Sequence, residues 1–540
     1  MRPMSFDFNS RRSMVVGRRG MVSTSNPLAA NAGVMILRAG GNAADAAIAA
    51  AAVLAVTEPA STGIGGDCFA LYYEAKTRQI TALNGSGRAP RALTLDFMGR
   101  EGFTAMPIHH PHAVSVPGTV AGWADLLARY GRMTLREVLA EAIHHAAAGY
   151  PVHPVFAASW GGVAEGLLKR GHGTAAYLPN GRAPRAGEII RLPDLAKTLR
   201  IIAEGGAAAF YEGEPAQAIA KTLEALGGVM AVDDLRDHRS TWETPIQTTY
   251  RGITVWECPP NGQGLAALEA LNILEGYDLA ALAADSPERL HLMIEAMRIA
   301  FADTRHYVAD PATNPAPLEY LLSKDYAAQR RVAIRPDRAM QPPSYGAPPT
   351  SSDTVYLTVV DGEGNACSFI NSLYMGFGSG IVAEGTGVFL QNRAALFSLD
   401  PDHPNALAPG KRPYHTIIPG MATRDGALWA SFGVMGGFMQ PQGHVQVIAA
   451  MVDDDLNPQE ALNRPRFCLM DGTAESVIAL EEGLPVSAMA QLAALGHPIR
   501  PVSGQGRGLF GSGDIIRRDP ESGVLFGGCD PRKDGTVAAF

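Results

Sequence analysis

The chain has 540 residues and carries 53 acidic against 45 basic side chains, which gives a net charge of -8 at pH 7. This balance disfavours a nucleic-acid-binding protein, because such proteins carry a basic patch or stripe. The length exceeds what one ordinary hydrophobic core organises, so we expect two or more lobes.

Cysteine usage and apolar runs predict the compartment. The five cysteines are scattered without a Cys-x-x-Cys pair, and an odd number argues against a disulfide framework. Free thiols are typical of a reducing compartment. Residues 1–21 contain arginines but lack the apolar core of a signal peptide. The longest apolar run, residues 46–56, is too short to span a bilayer. We therefore predict a cytoplasmic protein with no membrane partner.

The first part of the chain predicts two helices, a glycine-rich loop and a pair of strands. Asn26-Pro27 is a helix start, with a capping residue before a proline at the first helical position. Gly40-Gly41 ends this helix, and Asn42 caps the next one, which runs to residue 56. The predicted loop covers residues 59–67, and the predicted strands cover residues 68–74 and 80–84.

The middle of the chain predicts helices, and the last third predicts mainly strands. Helical periodicity recurs at residues 135–148, 192–204, 215–226, 264–275 and 287–302. Residues 334–353 are rich in proline and serine, which is typical of a linker. Beyond them, two strands flank the turn Gly362-Glu363-Gly364-Asn365, which indicates a hairpin. The predicted strands are 354–360, 366–372, 388–391, 417–421, 428–433 and 477–480, and the predicted helices are 443–452, 458–463 and 487–495.

Thr354 stands where the linker gives way to the first of these strands. If a self-cleaving precursor were cut before Thr354, this residue would gain a free α-amine. A threonine hydroxyl beside its own α-amine is a nucleophile with a built-in base. The alternative is that Thr354 serves only as a strand-forming residue.

Short motifs in both halves of the chain resemble one family. The first half contains Gly40-Gly41-Asn42-Ala43-Ala44-Asp45-Ala46, Gly63-Ile64-Gly65-Gly66-Asp67, Val116-Pro117-Gly118-Thr119-Val120-Ala121-Gly122 and Tyr250-Arg251-Gly252. The second half contains the strand that opens at Thr354, Gly376-Phe377-Gly378-Ser379-Gly380, Lys411-Arg412-Pro413 and Gly436-Gly437. In order and spacing they resemble the gamma-glutamyltransferase (glutathione hydrolase) family of N-terminal-nucleophile hydrolases over nearly the whole chain. Some features are similar to its cephalosporin acylase and oxamate amidohydrolase branch.

The resemblance implies an α+β fold, a four-layer αββα sandwich in which two stacked sheets lie between helical layers. It implies one precursor that is cut between Asp353 and Thr354. Residues 1–353 become a large, helix-rich subunit and residues 354–540 a small subunit, and the two remain partners in one folded unit. The implied substrate is a small-molecule amide, and no cofactor is implied.

The resemblance also implies catalytic roles around Thr354, which would attack the substrate carbonyl. Gly436-Gly437 match a glycine pair whose N–H groups bind the developing negative charge, although a plain turn is the alternative. Ser372 matches the position that hydrogen-bonds the nucleophile, or else it is a solvent-facing strand hydroxyl. Strand alternation places Thr358 on the same side as Thr354.

The implied substrate-binding positions are altered in this chain. His415 and Thr416 take the place of two substrate-holding serines, although His415 could instead be a core histidine. Ser86 replaces the carboxylate-binding arginine of the family, and Arg88 lies two residues further on.

Three further departures affect specificity. The family's asparagine, glutamine and aspartate align with Tyr374, Arg393 and Leu396. Without the aspartate, a substrate α-ammonium would be buried without a partner, which is costly. Arg393 would suit a carboxylate, because guanidinium binds carboxylate bidentately; the alternative is a surface arginine. The family resemblance implies γ-glutamyl amides, whereas these departures favour an acyl group that has a carboxylate but no α-amine.

Other functions remain as alternatives. The chain could be an uncleaved, non-catalytic relative that only binds a ligand. A nucleotide-binding enzyme would use the glycine-rich loop, but this loop lacks the Walker lysine and the GxGxxG spacing. His109, His110 and His112 form a cluster without a suitably spaced His or Cys partner, so we predict no metal site.

Overall fold

The computed structural model describes residues 12–341 and 353–540. The strands are β1 (Val15–Gly17), β2 (Gly20–Thr24), β3 (Asp67–Glu74), β4 (Gln79–Gly85), β5 (Tyr150–Pro151), β6 (Ile189–Ile190), β7 (Thr241–Glu243), β8 (Ile246–Tyr250), β9 (Ile253–Glu257), β10 (Asp353–Asp361), β11 (Ala366–Tyr374), β12 (Val382–Ala383), β13 (Val388–Phe389), β14 (Gly420–Arg424), β15 (Ala427–Met435), β16 (Phe467–Leu469), β17 (Ile478–Glu481), β18 (Ile499–Val502), β19 (Ser512–Arg518), β20 (Leu525–Cys529) and β21 (Thr536–Ala539).

The helices of the same residues are α1 (Pro27–Arg38), α2 (Ala43–Thr57), α3 (Leu95–Arg100), α4 (Thr119–Tyr130), α5 (Leu135–Val138), α6 (Ala140–Ala148), α7 (Pro154–Val163), α8 (Pro193–Tyr211), α9 (Glu214–Ala225), α10 (Val232–Arg236), α11 (Gly264–Leu274), α12 (Pro287–Tyr307), α13 (Leu318–Leu321), α14 (Lys324–Arg331), α15 (Met439–Val452), α16 (Pro458–Asn463) and α17 (Val486–Ala494).

Two antiparallel sheets form the centre of the fold. The nucleophile sheet has the order β21-β2-β10-β11-β3-β4-β7, and β10 is its third strand. The glycine sheet has the order β1-β20-β19-β15-β14-β9-β8. Neighbouring strands are antiparallel in both. Each sheet combines strands from both sides of residue 353, so the two predicted subunits share one core.

The hydrophobic core has three layers, as a four-layer sandwich requires. Tyr356, Ile370, Met421 and Ile516 belong to the layer between the two sheets. The outer face of the nucleophile sheet packs against helices that include α1 and α2. The outer face of the glycine sheet packs against α11, α12 and α15. The predicted α+β, αββα architecture is therefore confirmed.

Helix α2 is buried along its whole length behind the nucleophile sheet. Asn42 caps it and forms a capping box with Asp45, which satisfies backbone donors that would otherwise be orphaned. The Asp45 carboxylate also accepts the N–H groups of Arg132 and Met133. The alanine-rich sequence suits this position, because small side chains let neighbouring helices and strands approach closely.

Several predicted elements differ from the observed ones. The predicted helix 135–148 is broken at Leu139, and the predicted helix 192–204 continues to Tyr211 across Gly206, whose φ is +70°. Strand 417–421 begins only at Gly420, and helix 443–452 begins already at Met439. Strands β7, β8 and β9 were not predicted within the helical middle segment. They are short. β7 and β9 pair with the distant strands β4 and β14, and β8 is an edge strand that forms a hairpin with β9. The sheets therefore decide the structure of this stretch more than the local pattern does.

The first residues of the predicted linker pack on the fold. Ile334 is buried against the helices outside the glycine sheet. The N–H group of Met340 donates to Oε2 of Glu295 on α12 at 2.9 Å. Residues 342–352 of the predicted linker lie outside the described residues.

No helix in the described ranges is both long enough and apolar enough to cross a membrane. The five cysteines are buried and form no disulfide.

Candidate active site

Thr354, at the start of β10, lies opposite a β-bulge in β11. Asp353 pairs with Tyr374 and Val355 with Asn371, so two residues of β11 lie opposite Thr354 alone. Such a bulge changes the direction of the side chains beside it. The side chain of Thr354 is buried, and its Oγ1 lies 3.2 Å from Oγ of Ser372 on β11. Ser372 is also fully buried, so the alternative of a solvent-facing hydroxyl is wrong.

Contacts between the two sheets fix how β10 and β15 face each other. Oγ1 of Thr358 donates a hydrogen bond to Oγ of Ser431 at 2.6 Å. A Cβ atom on Gly433 would lie 2.4 Å from the ring of Tyr356, so this ring packs directly on the Gly433 backbone. Residues 358 and 356 of β10 therefore lie opposite residues 431 and 433 of β15, so the two strands run in opposite directions.

Continuing this register by two residues places Thr354 opposite Met435, the last residue of β15. Gly436-Gly437 follow immediately and lead into α15. The predicted nucleophile and the predicted glycine pair thus lie at the same end of the sandwich, in opposite sheets. Thr358 lies on the same face of β10 as Thr354 and joins the two sheets.

The glycine pair has a backbone conformation that suits glycine. Gly436 has a φ of +122° and Gly437 a φ of +61°, and side chains rarely tolerate such values. Their N–H groups donate to no acceptor among the described residues. Two N–H groups of this kind at the start of a helix can hold an anionic oxygen.

Gln263 holds this turn in place. Its Nε2 donates to the carbonyl oxygen of Gly437 at 2.8 Å and to that of Thr416 at 2.6 Å. Its Oε1 accepts the hydroxyl of Tyr414 at 3.1 Å. One buried amide therefore connects the glycine turn to the segment that contains His415.

Arg393 is a fully buried residue, so the alternative of a surface arginine is wrong. Its guanidinium carbon lies 4.7 Å from the centre of the Tyr374 ring, and its Nη1 donates to Oγ1 of Thr416 at 2.8 Å. Its Nε lies 3.9 Å from Oδ2 of Asp67 as a long ion pair, and neither Nε nor Nη2 meets a hydrogen-bond acceptor among the described residues. Burial lowers the pKa of Arg393 to about 10, so it stays cationic at neutral pH. Two charged, buried N–H groups suit a carboxylate ligand.

Tyr374 connects Arg393 to the predicted nucleophile. Its N–H group donates to Oγ of Ser372 at 2.9 Å, and Ser372 in turn contacts Thr354. Tyr374 has a φ of +80°, an uncommon value for a residue with a side chain. Its backbone is therefore held in an unusual conformation directly between the arginine and the threonine.

His415 is a core histidine that pairs with Asp67. Its Nδ1 accepts the N–H group of Ile417 at 3.3 Å, so its Nε2 carries the proton and donates to Oδ2 of Asp67 at 3.0 Å. Burial, with a further contribution from Arg393, lowers the pKa of His415 to about 3 although Asp67 opposes this shift. The imidazole is therefore neutral at physiological pH. The prediction that it holds substrate directly remains a prediction.

Comparison with known proteins agrees with this geometry. The family model for gamma-glutamyltranspeptidase matches residues 29–540. The chain belongs to the gamma-glutamyltranspeptidase family. It is 46% identical to a cephalosporin acylase from Bacillus halodurans, whose crystal structure superposes with a TM-score of 0.93 over 100% of this chain and 99% of that one.

Two curated relatives show the range of the family. The chain is 39% identical over 97% of its length to the glutathione hydrolase-like YwrD proenzyme of Bacillus subtilis, of which 99% is covered. It is 35% identical over 97% of its length to the oxamate amidohydrolase proenzyme of Klebsiella pneumoniae, of which 99% is covered. The predicted family and the predicted type of enzyme, an amide hydrolase or acyltransferase, are confirmed.

The remaining predicted binding residues of this family member make other contacts. Nδ2 of Asn261 donates to the hydroxyl of Ser86 at 3.2 Å. The Arg88 guanidinium donates to the carbonyl oxygen of Arg239 at 3.2 Å, in a more exposed position. Leu396 belongs to the apolar cluster that also contains Tyr374, so it supplies no charge at the family's aspartate position.

Two residues that contact the candidate site, Asp67 and Gln263, were not predicted as such from the sequence. Asp67 ends the glycine-rich motif, and its Oδ1 accepts hydrogen bonds from the Gly87 N–H group and from Nε2 of Gln391, both at 2.8 Å. The signal for Gln263 was the segment Pro259-Pro260-Asn261-Gly262, a turn that opens α11. Both side chains act through buried hydrogen bonds, which a pattern of residue types does not show.

The glycine-rich loop is occupied by the protein's own backbone. A Cβ atom on Gly65 would lie 2.0 Å from the carbonyl oxygen of Phe389, and one on Gly66 would lie 2.3 Å from that of Ser372. These glycines are needed for close packing against the backbones of β13 and β11, which contradicts the nucleotide-binding alternative.

One buried group outside the site resembles a metal site. His291, Glu295 and His497 lie close together. The two imidazoles hydrogen-bond each other at 2.7 Å, and Arg298 pairs with Glu295 at 2.7 Å. Nδ1 of His497 is buried without a hydrogen-bond partner among the described residues and lies 3.7 Å from Oε1 of Glu295. Because Glu295 is already paired with Arg298, the group acts here as a buried polar contact between α12 and the segment that leads into β18.

Proposed function

We propose that this protein is a self-processing amide hydrolase whose acyl-enzyme forms on Thr354, and that its preferred acyl group carries a carboxylate but no α-amine. The observation that supports this specificity most strongly is Arg393. It is buried, cationic, and has two N–H groups without an acceptor among the described residues. Its partners Tyr374 and Thr416 connect it to the predicted nucleophile and to the glycine turn.

The proposed maturation step uses the Thr354 hydroxyl against its own peptide bond. Oγ1 attacks the carbonyl carbon of Asp353, the C–N bond to Thr354 breaks, and the hydroxyl proton passes to the departing nitrogen. Water then hydrolyses the resulting ester. The products are a large subunit that ends at Asp353 and a small subunit that begins at Thr354 with a free α-amine. Ser372, 3.2 Å from Oγ1, orients the hydroxyl.

In the mature enzyme the α-amine of Thr354 acts as the base. An α-amine has a pKa of about 7.7 to 8.0, which suits proton transfer near neutral pH. The hydroxyl attacks the amide carbonyl, and the N–H groups of Gly436 and Gly437 stabilise the negative charge on its oxygen. The amine leaves with the proton, and water or a second amine releases the acyl group from Thr354.

The surroundings of Arg393 favour a carboxylate over an amino acid head group. Leu396 lies in an apolar cluster. The nearest acidic side chain, Asp67, already accepts three hydrogen bonds, from Gly87, Gln391 and His415. A substrate α-ammonium placed here would add positive charge beside Arg393 without a new counter-ion, which costs free energy.

A γ-glutamyl substrate is the second candidate. It is favoured by the similarity to the glutathione hydrolase-like proenzyme, which is 39% identical to this chain. The cephalosporin acylase and oxamate amidohydrolase relatives favour the first candidate. The two candidates differ in one group, the α-amine of the acyl half, so matched substrates separate them.

The test compares glutaryl-4-nitroanilide with γ-glutamyl-4-nitroanilide on the processed enzyme. We expect kcat/KM to be at least about tenfold higher for the glutaryl compound, because one buried ammonium lacks a partner. Arg393→Met should lower kcat/KM for this compound by about a hundredfold. Arg424→Met is the control, because it removes an arginine that lies over Trp429 at the opposite end of β15 from the glycine turn. Faster turnover of the γ-glutamyl compound would contradict the proposed specificity.

The alternative of a non-catalytic relative makes a different prediction: an unprocessed chain that hydrolyses no amide. The cytoplasm remains the proposed compartment, supported by five buried thiols without a disulfide.

A further inference from the structure

A second arginine lies near the candidate site and takes no part in the mechanism above. Arg305 is on α12, and its guanidinium carbon lies 4.9 Å from the centre of the Tyr414 ring and 5.1 Å from that of Phe438. Unlike Arg393, it is only partly buried. It forms no ion pair with any residue in the described ranges.

Both rings under Arg305 belong to the segments that build the site. Phe438 follows Gly437 directly, and Tyr414 directly precedes His415. The hydroxyl of Tyr414 donates to Gln263, the residue that holds the glycine turn. Arg305 is therefore next to the glycine turn on the side of α12.

The charges around Arg305 are mainly positive. Burial lowers the pKa of His403, and Arg305 and Lys411 lower it further, while Asp400 opposes them. The ammonium group of Lys411 donates to the carbonyl oxygen of Pro404 at 2.6 Å. Asp310 is a further carboxylate near Lys411, and its Oδ2 already accepts the N–H group of Arg412. The stacked Arg305 itself is therefore the group that would attract an anion here.

The two arginines differ in depth, and an amide substrate has two ends. Arg393 is fully buried and suits the acyl end. The amine half must leave after the amide bond breaks, so it extends toward the more exposed side, where Arg305 lies. A guanidinium that is already stacked on two rings loses little freedom on binding, and it presents a planar pair of donors.

We propose that Arg305 binds a carboxylate on the amine half of the substrate. The preferred substrates are then amides that carry a carboxylate on both halves. An example is a dicarboxylic acid joined through an amide bond to the amino group of an amino acid or of an aminobenzoate. This inference rests on the proposed function, and it makes Arg305 a specificity-determining residue at the leaving-group side.

The test uses two amides with the same acyl group and different charge on the amine. Glutaryl-4-aminobenzoate and glutaryl-4-aminobenzamide are nearly isosteric para-substituted anilides that differ in the charge of the para group. We expect the processed enzyme to have a kcat/KM about tenfold higher for the aminobenzoate compound, as one charged hydrogen bond would provide. Arg305→Met should bring this ratio to about one, and Arg305→Lys should retain part of it.

Arg424→Met, remote from the site, is the control and should leave the ratio unchanged. A ratio that stays about tenfold in Arg305→Met overturns the inference. If the wild type cleaves neither amide, the proposed function fails instead. The binding of free 4-aminobenzoate and 4-aminobenzamide is then measured by calorimetry. Tighter binding of 4-aminobenzoate that is lost in Arg305→Met supports the proposed role of Arg305. Equal binding of the two compounds to the wild type contradicts this role.

Discussion

The hydroxyl oxygens of Thr354 and Ser372 lie 3.2 Å apart. Ser372 is in the bulge of β11 that lies opposite Thr354 at the start of β10. The N–H group of Tyr374 donates to the Ser372 hydroxyl, so the second hydroxyl has a fixed position. At this scale the site depends on backbone geometry as much as on side chains. The same holds for Gly436 and Gly437, whose positive φ values set the direction of the backbone N–H groups in the turn.

Gln263 gives a residue-scale prediction, because its amide group donates to the carbonyl oxygens of Gly437 and Thr416. Gln263→Glu replaces the donor by a carboxylate that repels both oxygens, so the glycine turn should shift. We expect kcat to fall by about a hundredfold, as for the loss of one oxyanion donor, with a smaller change in KM. Steady-state kinetics on glutaryl-4-nitroanilide measure both values.

The matched control is Gln446→Glu on α15. Gln446 also donates through Nε2 to two carbonyl oxygens, those of Gln442 and Phe467, but it does not contact the glycine turn. If both variants lost kcat to the same degree, Gln263 would have no special role in positioning the turn.

At the scale of elements, the site lies where strands from two sheets end together. Strand β10 and strand β15 face each other through Thr358 and Ser431, and Tyr356 packs on Gly433. This register carries the start of β10 to the turn between β15 and α15. A change in the spacing between the sheets would therefore separate the nucleophile from the glycine pair.

The contact of α12 with His497, which lies two residues before β18, gives a pH prediction. Burial lowers the pKa of His497 to about 3, and the neighbouring His291 and Arg298 contribute to this shift. Glu295, 3.7 Å from His497, is already paired with Arg298. His238 and His415 are buried with pKa values that are also lowered to about 3.

An unfolded histidine has a pKa of about 6.5. Between pH 6.5 and pH 3 the unfolded chain therefore binds protons that the native chain does not. Stability from these three histidines is fully present above pH 6.5 and falls as the pH drops, by about 1.4 kcal/mol per pH unit for each histidine. Urea unfolding of the Thr354→Ala protein at several pH values measures this slope on a continuous chain.

In that background, His497→Gln should reduce the slope below pH 6.5 by about one proton. His144→Gln, at an exposed position of α6, is the control and should leave the slope unchanged. An unchanged slope in His497→Gln would show that His497 is charged in the native state.

At the scale of the whole molecule, the motifs of the sequence predicted the family and the layers better than the individual strands. Helices with clear caps, such as α2 after Asn42, were predicted closely. Strands β7 and β9 were missed because they pair with strands far away in the chain, and β8 was missed although it forms a local hairpin with β9. The glycine pair and Ser372 were predicted from motifs, whereas Asp67 and Gln263 act through buried hydrogen bonds that need the folded structure.

The burial of Arg393 illustrates the same limit. Its sequence context was consistent with a surface position, and only the packing on Tyr374 shows that its charge is enclosed. The whole fold also explains why cleavage would not separate the subunits, because each sheet is built from strands on both sides of residue 353.

The most direct test of the central claim is the intact mass of the purified protein after prolonged incubation, for the wild type and for Thr354→Ala. We predict that the wild-type chain of 57.0 kDa is converted to two fragments, of which the smaller begins at Thr354, and that Thr354→Ala remains one chain. Cleavage of Thr354→Ala at the same bond, or a wild-type chain that stays intact while it hydrolyses amides, would contradict it.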